Sequence, residues 1–204
     1  MKKTALILIF AFIGMISCKK DDDQNNGNNP EPPSETTKYS IGDYYKVGGV
    51  EGIVFEISEN GKHGKIISMD EITAEWALTS SWTVLTNAND EHDGLINTNI
   101  IHKDFDVTEY PAFKWCIDKN SNNTIKWYFP AKNELLAIYS VYEILQDALN
   151  KHGGNLLNNS IYWSSTEHPE HSFTSWFVNF STGEAAFNTV KFDNRWFVRA
   201  IRTF

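Results

Sequence analysis

Few residues in this sequence are of types and spacings that could do chemistry. The first is Cys18. It follows two lysines, Lys2 and Lys3, and then an uncharged, mostly apolar run over 4–16 that ends at Ser17. A small residue directly before Cys, at the end of such a run, suits a signal peptidase whose product carries lipid on the thiol. The other cysteine, Cys116, sits in PAFKWCID at 111–118 and reads as a buried, inert thiol. With Cys18 taken by lipid, no intramolecular disulfide is expected. Glu167, His168, Glu170 and His171 share one loop. Their carboxylates and imidazoles suit a metal or a general base, and an exposed polar loop is the plainer reading. The run NDEHDG at 89–94 offers oxygens for Ca²⁺ and looks like the start of an EF-hand loop. Its twelfth position is Ile100, where such a loop needs a bidentate Glu, so a solvated acidic turn is preferred. No nucleophile–base motif or phosphate loop occurs. The expectation is therefore a chain that is not an enzyme and uses no metal or cofactor.

The segments that would position these residues divide the chain into three. Residues 1–17 are too short for a comfortable membrane span and right for a signal peptide. Residues 18–37 are rich in Asn, Pro, Asp and Ser without apolar periodicity, and read as the lipidated Cys followed by a disordered tether. Residues 38–204 are long enough for one ordinary domain. The formal net charge is −8, and losing Lys2 and Lys3 with the leader makes the balance more negative. That argues against nucleic acid and polyanions as default partners. The chain holds seven Trp, eight Tyr and thirteen Phe, most of which should serve the core.

Within the domain, 43–58 alternates as a strand interrupted by Gly48 and Gly49. Asn60-Gly61 then signals a hairpin into 65–69. Leu95, Ile96, Ile100 and Ile101 have helical spacing, and Pro111 opens a short helix to Asp118. Residues 125–129 form a short strand. Residues 134–151 carry a 3.6-residue apolar stripe, with a division expected at Ser140 and Val141 and an end at Gly153. Strands follow at 161–165, 175–180, 185–190 and 196–204. Strands at both ends with helices between them make an α+β fold. All three arginines, Arg195, Arg199 and Arg202, fall in the last ten residues. On one strand Arg199 and Arg202 would face opposite ways, so one of them should be structural if the other faces solvent.

Four runs carry a resemblance: WYFPAKNELL at 127–136, YWSSTE at 162–167, WFVNFSTG at 176–183 and VRAIR at 198–202. In this order they resemble the domain named for the C-terminal region of a Legionella collagen-like adhesin, in the version found in Bacteroidetes lipoproteins. Cys18 followed by Lys19, Lys20, Asp21, Asp22 and Asp23 likewise resembles the export tag of Bacteroidetes lipoproteins carried to the outer face of the outer membrane. The resemblance covers nearly all of 40–204. It implies a C-type-lectin-like fold with two main helices, a twisted antiparallel sheet and paired terminal strands, and it implies no catalysis. The lectin triplets that hold sugar through calcium are absent. In lectin-like folds the loops between the late strands gather at one end, which here nominates 167–174 and 191–195, with His171, Asp193, Asn194 and Trp196 as ligand-binding residues. Arg199 lies in an apolar stretch and should be buried with a carboxylate partner. The resemblance offers Glu134 and Glu167, of which Glu134 is preferred. The expected function is a surface-exposed outer-membrane lipoprotein that binds a glycan or a protein, adhesin-like. An envelope enzyme, or an accessory subunit of one, is the alternative.

Overall fold

The computed structural model describes residues 37–122, 124–192 and 195–204. The leader, Cys18, the export tag and most of the tether lie outside the described residues, as do Asp193 and Asn194.

Among the described residues ten strands and four α-helices follow one another, with all four helices between β4 and β6. The first sheet has the order β1-β2-β3-β10-β5, built from β1 (Tyr44–Val47), β2 (Val50–Ser58), β3 (His63–Ile67), β10 (Ile201–Thr203) and β5 (Trp127–Tyr128). The second has the order β4-β9-β6-β7-β8, built from β4 (Ile72–Ala74), β9 (Trp196–Val198), β6 (Ile161–Glu167), β7 (Ser175–Asn179) and β8 (Glu184–Ala186). All pairings are antiparallel except β6 with β9. The helices are α1 (Gly94–Asp104), α2 (Pro111–Asp118), α3 (Lys132–Ser140) and α4 (Tyr142–His152). The α+β class is as expected. One sheet and two main helices were not enough, because the apolar stripe of 134–151 breaks at Val141 and the chain spends two further helices, α1 and α2, on a second core.

The strands alternate side chains between two cores, as a period of two requires. Ile53, Phe55, Ile67, Tyr128, Tyr162, Val178 and Ile201 face Leu135, Ile138, Leu145 and Leu149 of α3 and α4. Their sequence neighbours Val54, Ile66, Trp127, Trp163, Phe177 and Ala200 face Ile101, Phe113 and Cys116 of α1 and α2. Each sheet is thus covered on both sides, and a one-residue slip would exchange the two cores.

Two turns show why the strands end where they do. Gly48 and Gly49 have φ of 57° and 80° and join β1 to β2 directly, with Val47 opposite Val50. That is a two-residue hairpin, and it needs residues that tolerate positive φ at both positions. Gly183, with φ of 78°, lies where a Cβ would collide with the Tyr139 ring, so the β7–β8 turn can close on α3.

The C-terminal run departs from expectation. Instead of one strand over 196–204, β9 lies in the second sheet and β10 in the first, and Arg199 and Ala200 make the crossing. The chain crosses in the other direction between β3 and β4, at 68–71, and the Ser68 N–H bonds the Ala200 carbonyl at 2.9 Å. The first and last strands also do not pair: β10 lies between β3 and β5, while β1 forms an edge. The two ends of the domain meet through side chains instead, with the Tyr39 ring 5.1 Å from that of Phe204.

Arg199 is buried at this seam, but its partner is not Glu134. Its guanidinium bonds Glu71 at 2.7 Å and the carbonyls of Ser68 and Asn155 at 2.9 and 2.8 Å. Glu134 is fully engaged elsewhere. It accepts from the N–H groups of Ala131 and Gly94 and from the Tyr128 hydroxyl, and pairs with Lys65 at 3.2 Å. As the third residue of α3 it folds back to cap the helix start.

Three buried phenols make the fold sensitive to alkali. Burial, with Glu167 and Glu109 nearby, pushes Tyr110 up to about 12. Burial and a hydrogen-bonded carboxylate push Tyr128 and Tyr162 higher still. In the unfolded chain these phenols ionise near pH 10, so the unfolded state loses protons first. The stability they confer is complete below pH 10 and is lost as pH rises toward 12. The urea midpoint should fall between pH 9.5 and 11.5 by more in the parent than in Tyr110→Phe. Equal slopes would exclude Tyr110 as a contributor.

Candidate functional site

β6 ends on Glu167, which is fully buried. Its Oε2 accepts from the backbone N–H groups of Thr86 and Asn87, both at 2.8 Å, and from the Thr86 hydroxyl at 3.0 Å. Its Oε1 pairs with the Lys191 ammonium, also fully buried. Lys191 Nζ lies 4.3 Å from the Trp76 ring centroid. Burial lowers the Lys191 pKa, and the Glu167 charge opposes that shift. The Lys191 carbonyl accepts from Trp76 N–H, and its own N–H donates to Phe173. One ion pair thereby fastens the end of β6, the 84–88 segment and the 187–192 segment together. The 168–174 loop closes over it through bonds from His168 N–H to the Thr174 carbonyl and from Thr174 N–H to the His171 carbonyl.

A run of rings stands on this platform. His168 stacks on His171 with centroids 4.6 Å apart, and lies 4.2 Å from Phe187 and 6.2 Å from Trp176. Trp176 and Phe187 meet edge to face at 4.7 Å. On the other side His171 neighbours Phe173 at 5.8 Å, Phe173 neighbours Trp82 at 6.3 Å, and Trp82 neighbours Phe192 at 4.9 Å. Phe173 is 43% exposed and His171 is exposed. Lys132, held at 2.5 Å by Glu91, lies 4.2 Å over the Trp176 ring. The Trp176 indole nitrogen is buried without a hydrogen-bond partner among the described residues. The result is an aromatic face with imidazole donors and acceptors at its centre. It is suited to stacking and hydrogen bonding with a flat polar ligand.

No protein-family model matches the chain, and no protein of curated function does. A solved structure does: the chain is similar to a fimbrial protein from Bacteroides ovatus ATCC 8483, with a TM-score of 0.60 and 20% sequence identity. The match covers 81% of this chain and 49% of that one, so the chain spans about half the length of the fimbrial protein. At that identity the likeness is one of fold.

The nominated residues separate in the structure. His171 belongs to the ring run. Trp196 packs on Trp163 at 4.4 Å and Phe177 at 4.7 Å, partly buried against the core on the α1 and α2 side. Asp193 and Asn194 lie outside the described residues. Phe173, Phe187, Trp176 and Trp82 complete the run without a site motif of their own. Their signal was a large apolar ring inside otherwise polar loop sequence, as at HSFT (171–174) and AFNT (186–189).

In the acidic run at 89–94, one carboxylate oxygen each of Asp90, Glu91 and Asp93 is engaged. Asp93 accepts from Leu95 and Ile96 N–H and caps α1, while Asp90 accepts from His92 and Asp93 N–H. Cys116 is fully buried on α2, and burial pushes its thiol well up from the ordinary range.

Proposed function

We propose that this chain is a lipoprotein of the outer-membrane surface whose C-type-lectin-like domain recognises a neutral or amino-bearing sugar in an adhesin-like role. The observation that carries the reading is the run His168, His171, Phe173, Trp176 and Phe187, a partly exposed aromatic face beside a buried ion pair. Aromatic rings stack on the apolar faces of sugar rings, and imidazoles bond their hydroxyls. Rings fixed from beneath lose little entropy when a ligand arrives. The fold shared with a protein described as fimbrial supports a surface role.

A glycan array probed with the purified full-length protein tests the reading. His171→Ala and Phe173→Ala should each weaken capture by about tenfold, the equivalent of roughly 1.4 kcal/mol, with unchanged melting. A bound glycan indifferent to both substitutions would place recognition elsewhere. The anchor is tested separately. Cys18→Ala should move the protein from the membrane fraction to the soluble one and abolish palmitate labelling. Retained attachment and labelling would disprove lipidation at Cys18.

A further inference from the structure

A second polar cleft lies on the other sheet, away from the ring run. It has a volume of about 380 Å³, and its lining includes Gly48, Gly49, Lys126, Trp127 and Arg202. In a chain of net charge −8, this cleft has no carboxylate among its lining residues.

Its cations are of two kinds. Lys119 is neutralised, since both oxygens of Asp70 hold its ammonium at 2.6 and 2.7 Å. Arg202 and Lys126 are not. Among the described residues neither makes a side-chain hydrogen bond or an ion pair. Arg202 is half-buried on β10 directly opposite Trp127 of β5, with its guanidinium 6.0 Å from that ring. Burial lowers its pKa, and the neighbouring Tyr45 opposes that shift. A half-buried guanidinium without a partner is a group that a bound anion can pair with.

The wall beside these cations is rigid. Asn120 accepts from the N–H groups of Lys126 and Trp127 at 2.9 and 2.8 Å, and donates to the Trp127 carbonyl at 2.9 Å. Both the oxygen and the nitrogen of its amide are therefore spent on fixing Lys126 and the start of β5. Opposite, the Gly48-Gly49 turn presents bare backbone, and a Cβ on either glycine would meet nothing within 4 Å. The space above the turn is open. Ser121, Asn122 and Thr124 add hydroxyl and amide groups to the rim.

We propose that this cleft binds the carboxylate of an acidic sugar unit, with Arg202 as the bidentate partner and Lys126 as the second cation. The planar guanidinium fork matches a carboxylate better than a point charge does. The hydroxyl and amide rim matches sugar hydroxyls, and the sparse apolar lining does not favour a peptide with hydrophobic side chains. The site stands independently of the aromatic face on the other sheet.

Calorimetric titration of the purified full-length protein with glucuronate, N-acetylneuraminate, glucose and inorganic sulfate tests the assignment. At least one of the two acids should bind while glucose does not, and binding should weaken with added salt. Lys126→Ala, at an exposed position, and Arg202→Lys, which keeps the charge but removes the fork, should each weaken it by about tenfold with unchanged melting. The assignment is overturned if neither acid binds, if glucose binds equally, or if both variants bind like the parent. Sulfate binding as tight as that of the acids would also overturn it, because the cleft would then select charge and not a carboxylate.

Discussion

An Arg199→Met protein should lose roughly 3–5 kcal/mol of unfolding free energy, the usual cost of leaving a buried charge without its partner. For a domain of this size that is a fall in melting temperature of roughly 6–20 °C. The size follows from what the guanidinium holds. Both crossings between the sheets meet at Arg199: it bonds Ser68 and Glu71 of the β3–β4 crossing and Asn155 beyond α4, while itself lying in the β9–β10 crossing. Glu71 also accepts from the Tyr162 hydroxyl at 2.6 Å and from the Asn158 amide. Methionine would leave that carboxylate buried, with neutral donors only, and two carbonyls without donors. Glu71→Gln should cost less, because Gln keeps an acceptor for Tyr162. Glu134→Gln should act through helix capping and Lys65, so its effect should add to that of Arg199→Met. Urea unfolding of the single and double variants measures this. Strong non-additivity between positions 199 and 134 would restore Glu134 as the partner, and an unchanged midpoint in Arg199→Met would remove the arginine from the fold's support.

What the sequence could show depended on how local each feature is. The helix break at Ser140 and Val141 and the left-handed cap at Gly153 were readable, because apolar spacing and a glycine after the last turn are local signals. Pro111–Asp118 was readable for the same reason. In the sequence Gly48 and Gly49 read as an interruption in one strand, although they are a complete hairpin turn. The run 196–204 alternates without a turn residue, so nothing local marks the point where it changes sheet. β4, only Ile72–Ala74, is too short to show periodicity. Glu71 is not legible as the partner of Arg199, because the two lie 128 residues apart and the motif around Arg199 points to other acids. His171 could be nominated from its loop, but Phe187 and Trp82 join it only through pairings that the fold creates.

The pair Glu167–Lys191 should show strong coupling, and its loss should damage both stability and recognition. Glu167→Leu removes the acceptor of two backbone N–H groups and leaves Lys191 buried without a counter-charge, so it should be the more severe single change at this pair, at roughly 3–5 kcal/mol. Lys191→Met leaves a carboxylate that still accepts three hydrogen bonds, and should cost less. The double variant Glu167→Gln with Lys191→Met removes both charges, while the Gln carbonyl can still serve Thr86 and Asn87. Replacing a whole buried pair by neutral groups is often close to neutral. The double variant should therefore be more stable than Lys191→Met alone, and a loss equal to the sum of those of Glu167→Gln alone and Lys191→Met alone would show that the two residues act separately. Recognition gives a second readout. The 168–174 and 187–192 segments reach the platform through Glu167 and Lys191, so His171 and Phe173 should lose their fixed spacing in either single variant. Glycan capture should then fall further than in His171→Ala, and should recover in the double variant as stability recovers. If capture stays lost while stability returns, the charge of the pair itself, and not the rigidity it imposes, serves the ligand.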